Sequence, residues 1–145
     1  MQSAQLVRVS LEISIAKLAA EKMDALGELT LRQAIEKQRL TSQHSAIARF
    51  YGSDERLHRA ISEIAGLPLV WSHIEEAKLQ MDRVRHLNLI NSHPFNELIQ
   101  QHVKIVDAIT QNNSAEIDAT LTNHLGKILP DLESIRLNRP EFFAS

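Results

Sequence analysis

Apolar residues return at every third or fourth position along most of this chain, the spacing that stacks side chains on one face of an α-helix. Leu6, Val9, Ile13, Ala16, Ala20 and Met23 form one such stripe, and Leu11, Ile15 and Leu18 run beside it. The pair of stripes predicts a helix from Leu6 to Leu26, covered on two sides, with Gly27 as its stop. Residues that favour strands and tight turns are few: the 145 residues include 4 Gly, 4 Pro, 4 Phe, 1 Trp and 1 Tyr. That composition argues against a sandwich or barrel. The length suits one domain that buries roughly 70% of its unfolded surface. The expected fold is all-α, a single antiparallel bundle of six to seven helices.

Capping residues and helix breakers punctuate the rest. A shorter amphipathic stretch spans Leu29 to Leu40, and Thr41 and Ser42 are placed to cap a segment reaching Phe50. Tyr51-Gly52-Ser53 reads as a break, with Ser53 the N-cap of a helix from Asp54 to Ala65 that Gly66 ends. Pro68 suits the first turn of a helix reaching Leu89. After a break at Asn91 to Pro94, a helix is expected from Phe95 to Thr110. A polar turn follows, and Ser114 is expected to cap a last helix from Ala115 to Leu137, bent near Pro130.

Sixteen Lys and Arg against eighteen Asp and Glu give a formal charge of −2. A nucleic-acid-binding domain ordinarily carries a basic balance or stripe, because neutralising phosphates supplies much of its affinity. The chain is therefore not expected to bind DNA by itself. No apolar run approaches the ~20 residues that span a bilayer, and no signal-peptide pattern opens the chain. Without cysteine there is no disulfide framework, thiolate zinc site or cysteine nucleophile. A cytoplasmic protein with no membrane partner is expected.

Histidine is abundant, with 7 residues. Asp54, His58, Ile61 and Ala65 share one helical face, and Leu98, His102, Ile105 and Ile109 repeat the same spacing. In the last helix, Ile117, Leu121, Leu125, Ile128 and Leu132 form the seam, with His124 beside Leu125 on the inward side. Three helices thus each aim one imidazole inward, and one adds a carboxylate a turn away. A lone histidine on an apolar face is more often a packed core residue than a ligand. Three buried imidazoles each need hydrogen-bond partners, and one metal ion satisfies all three. Asp oxygen with His nitrogen suits Zn²⁺, Ni²⁺, Fe²⁺ or Mn²⁺. The other histidines have ordinary readings: His44 in a capping region, His93 before a proline, and His73 on a wet face beside Glu75 and Glu76. Asp82 and His86 form a second i, i+4 pair, but Arg83 and Arg85 flank it and disfavour a cation.

Taken together, these residues resemble the FCD-type ligand-binding domain of GntR-family bacterial transcriptional regulators, in the fatty-acid regulator's subgroup. The likeness is carried by Arg8 to Glu12 with Ala16 and Ala19-Ala20, by Asp54-x-x-x-His58 with Ile61, Ala65 and Gly66, by Gln101-His102 leading to Ala108-Ile109, and by His124-Leu125. Arg139-Pro140-Glu141-Phe142 resembles the closing motif. Leu57, Leu67, Gln101 and Asn113 depart from commoner residues, glutamate being usual at the position of Gln101. The resemblance implies a bundle with a central cavity and one divalent ion, Zn or Ni before Mn or Fe, held by Asp54, His58, His102 and His124. Four protein ligands on an octahedral ion leave two positions for water or a small carboxylate effector. Arg8 is the candidate to bind that effector, since a guanidinium matches a carboxylate in fork geometry. The plainer reading of Arg8 is a surface residue paired with Glu12. Arg83 and Arg85 are weaker candidates, read more simply as solvated charges.

On this resemblance residues 1–5 are an extension, 6–143 the ligand-binding domain and 144–145 a tail. The family also implies a homodimer and a winged helix-turn-helix ahead of this region. Nothing in this chain matches that DNA-reading part, so an isolated sensor or a stand-alone relative is expected. The expected function is a metal-containing sensor of a small organic acid rather than an enzyme. Two alternatives remain open: a metal-dependent hydrolytic enzyme, for which Glu12 is a candidate base, and a structural helical dimerisation module.

Overall fold

The computed structural model describes residues 2–43, 47–79, 95–126 and 137. Among the described residues there are six helices and no strand, as the periodicity predicts. They are α1 (Gln2–Glu21), α2 (Ala25–Gln43), α3 (Ile47–Ile64), α4 (70–79), α5 (Phe95–Thr110) and α6 (Ser114–Gly126). α1 packs against α3, α5 and α6, while α2 lies along α3 and α5, so α1 lines one side of the interior and α2 the other. No helix of the described residues is long and apolar enough to cross a membrane.

The apolar centre takes Ala16 and Ala19 from α1, Leu31 from α2, Leu57 from α3, Ile109 from α5 and Leu125 from α6. Small alanines on α1 let neighbouring helices approach closely. The inward face of α1 differs from the expected stripe. Leu6 is 69% exposed, whereas Gln5, Arg8 and Glu12 are buried between the two apolar rows. Burying a charged pair requires a partner for each member, and that requirement turns out to define the site.

Several boundaries move from their expected places. α1 begins at Gln2 and ends at Glu21, and Gly27 lies inside the first turn of α2. Asp24 caps α2: its carboxylate accepts the Gly27 amide at 2.7 Å and its carbonyl accepts Glu28 at 3.0 Å. A side chain on Gly27 would meet Met23 Sδ at 3.0 Å and Asp24 Oδ1 at 3.3 Å, so the cap that closes over this turn leaves little room for one. Tyr51-Gly52-Ser53 is no break, since α3 runs through it and Ser53 is buried mid-helix. Packing along α2 overrides the cost of about 1 kcal/mol for a helical glycine. Thr41 and Ser42 do not start a helix; their hydroxyls bond back to Lys37, Gln38 and Arg39 carbonyls in the last turn of α2.

Other endings stand where they are expected. Gly66, at φ 77°, closes α3 with Leu67 donating to the Ser62 carbonyl and Gly66 to that of Glu63. Asn112 plays the same part after α5 at φ 49°, with Asn113 donating to Ala108. The cap of α6 is Asn113 rather than Ser114, because Asn113 Oδ1 accepts the Glu116 amide at 3.2 Å. Asn91 to Pro94, Pro130 and the closing Arg139-Pro140 motif lie outside the described residues.

Candidate metal centre

Asp54 and His58 occupy successive turns of α3 on its buried face, and His102 of α5 and His124 of α6 project toward them. All four are at least 97% buried, and each offers one ligand atom within 4.8 Å of the others. Asp54 Oδ1 stands 2.9 Å from His102 Nε2 and 3.5 Å from His58 Nε2. The Nε2 atoms of His102 and His124 are 3.2 Å apart. Trp71 of α4 stacks over the His58 ring at 6.4 Å between centroids, screening that side with apolar surface.

The outer nitrogen of each ring is also held. His58 Nδ1 donates to Glu12 Oε1 at 2.6 Å, His102 Nδ1 to Gln38 Oε1 at 2.8 Å, and His124 Nδ1 to Gln101 Oε1 at 2.6 Å. The Gln38 amide is oriented because its Nε2 donates to the Ser53 carbonyl at 3.3 Å. Gln101 Nε2 faces Glu97 Oε1 at 3.5 Å. Carboxylate and amide oxygens only accept, so the proton sits on Nδ1 and the Nε2 lone pair points inward. Three inward lone pairs and a carboxylate oxygen repel one another unless a cation lies among them. His58 Nε2 is buried without a hydrogen-bond partner among the described residues, which accords with that demand. Three nitrogens and one oxygen, each ring backed by an acceptor, form a donor set that fits a divalent transition metal.

The local charges point the same way. Burial opposes ionisation of Glu12, yet His58 and Arg8 outweigh it and hold the carboxyl at about 2. Burial likewise opposes the Asp54 carboxylate, yet the adjacent His102 and His58 rings hold its pKa well below the ordinary value. Burial disfavours a charged His58 ring, but Glu12 first and Asp54 beside it raise its pKa. The site therefore attracts positive charge.

Arg8 is wholly buried, its Nε donating to Glu12 Oε2 at 2.8 Å, while Nη1 and Nη2 lack partners among the described residues. The pairing with Glu12 is as expected, but it lies inside the protein and not on its surface. Helical spacing alone does not mark Gln38 and Gln101 as supports for the histidines. The available signal was a glutamine on an apolar seam, Gln38 following Leu31, Ala34 and Ile35 at helical spacing. His73 is exposed, as expected; His44, His93, Asp82, His86, Arg83 and Arg85 lie outside the described residues.

The FCD domain model matches residues 5–127 of the chain. The HTH-type transcriptional repressor RspR of Escherichia coli (strain K12) is 25% identical over 144 residues, covering 99% of this chain and 63% of that protein. An HTH-type transcriptional repressor NanR from Cronobacter sakazakii is 32% identical over 141 residues, covering 89% and 50%. The chain thus spans less than two thirds of the length of these relatives. Among solved structures, Escherichia coli McbR/YncC matches with a TM-score of 0.81 at 15% identity, over 92% of this chain and 64% of that one, a likeness of fold.

Proposed function

The chain belongs to the FCD domain family, and from that premise we propose that it is the ligand-sensing, metal-binding effector domain of a GntR-family transcriptional regulator. Asp54, His58, His102 and His124 hold one divalent ion, zinc or nickel before manganese or iron. The bound ion supplies a Lewis-acidic centre for an anionic oxygen. Arg8 binds the carboxylate of a small organic acid through Nη1 and Nη2, while Glu12 fixes the Arg8 stem and the His58 ring together. The observation that carries this reading is the arrangement of three Nε2 lone pairs and one Asp54 oxygen around a point, every ring secured from behind.

In the whole regulator, this domain forms a homodimer whose effector-bound arrangement biases a winged-helix DNA-binding domain. The reading does not require an enzyme. Glu12, the candidate general base, is already engaged by both His58 and Arg8.

Metal analysis of the purified protein tests the centre beside the double variant Asp54→Ala, His58→Ala. One ion per chain is expected, lost in the variant, with thermal melts of the loaded protein raised by small carboxylates. A metal-free protein whose melting responds neither to the double substitution nor to any acid overturns the proposal.

A further inference from the structure

Next to Arg8 stands a second buried polar group that metal ligation does not use. Gln5 lies three residues earlier on α1, on the same face, and is 7% exposed. Its Nε2 donates to the Leu125 carbonyl at 2.7 Å, joining the start of α1 to the residue after His124. That bond orients the amide and leaves Oε1 as a buried acceptor without a hydrogen-bond partner among the described residues. Arg8 offers two buried donors in the same condition. One helix face thus presents a fork that takes a carboxylate and, a turn away, an acceptor that asks for a donor.

We propose that Gln5 sets the specificity of the effector site, its Oε1 accepting a hydrogen bond from a hydroxyl or amine on an acid whose carboxylate is bound by Arg8. The inference rests on the effector reading above and narrows the ligand from carboxylates in general to carboxylates carrying a nearby hydrogen-bond donor. A donor-bearing acid gives Oε1 the hydrogen bond it otherwise lacks, so the site favours it over an acid without one.

The test compares matched acids of two to six carbons on zinc-loaded protein by titration calorimetry, with lactate and alanine against propionate, and 3-hydroxybutyrate against butyrate. The donor-bearing acids are expected to bind about 10–100-fold tighter than their plain partners. In Gln5→Met, which keeps the side-chain length but removes the acceptor together with the bond to Leu125, the preference is expected to vanish while the plain acid is still bound. Gln5→Leu serves if the methionine variant does not fold. Equal affinities in the unmodified protein overturn the role of Gln5 and leave the effector reading standing. A preference that persists in the variants also overturns it, since the donor is then read by the ion or another residue. If no acid of either kind binds, the effector reading fails and this inference with it.

Discussion

Each histidine of the centre uses its two nitrogens for different tasks, one for the interior and one for an acceptor behind it. Glu12, Gln38 and Gln101 would therefore tune a bound metal without touching it. Replacing Gln38 or Gln101 by Leu is expected to weaken zinc binding about 10–100-fold, measured by competition with a chromophoric chelator. Gln101→Glu should instead tighten it, because an anionic acceptor makes the His124 ring more basic. Arg8→Met presents a different case: Glu12 stays buried with its cation gone, and a loss of about 3–5 kcal/mol is expected in urea unfolding. Adding Glu12→Gln should recover part of that loss. The inward histidines were legible in the sequence because helical register fixes which side chains share a seam. Their acceptors were not, because Gln38 reaches His102 across 64 positions and register says nothing about which helices meet.

The helices themselves were legible to the extent that their signals were local. Gly66 closes α3 where its sequence context predicts, and its φ of 77° accounts for the choice of residue. Gly66→Ala is expected to cost about 1–2 kcal/mol by thermal melting. Asn113→Ala removes the cap of α6 and should cost about 0.5–2 kcal/mol, while Ser114→Ala should change little. The misplaced boundaries share one cause. Gly27 and Gly52 look like breakers in isolation, but one sits beneath the Asp24 cap and the Met23 side chain, and the other is carried along by packing of α3 on α2. In α1, the exposed Leu6 and buried Arg8 reverse the usual hydropathic expectation because Glu12, which pairs with Arg8, also gains His58 of α3 as a partner that a one-dimensional pattern does not contain.

On the scale of the molecule, the candidate centre gathers side chains from α3, α5 and α6, braced by α1 and α2. An ion there would tie together helices that are distant in sequence. Chelation of loaded protein by EDTA is expected to lower the melting temperature, by the equivalent of about 2.7 kcal/mol when free metal stands at 100 times its Kd. The bond from Gln5 to Leu125 spans 120 positions, and His58 reaches Glu12 across 46. Loop closures of that length come after local helix formation. The clasp can assemble only once the bundle is nearly complete, so it contributes little at the folding barrier. In stopped-flow measurements metal should leave the refolding rate almost unchanged and slow unfolding instead. Occupancy of the centre would thus set the lifetime of the folded state.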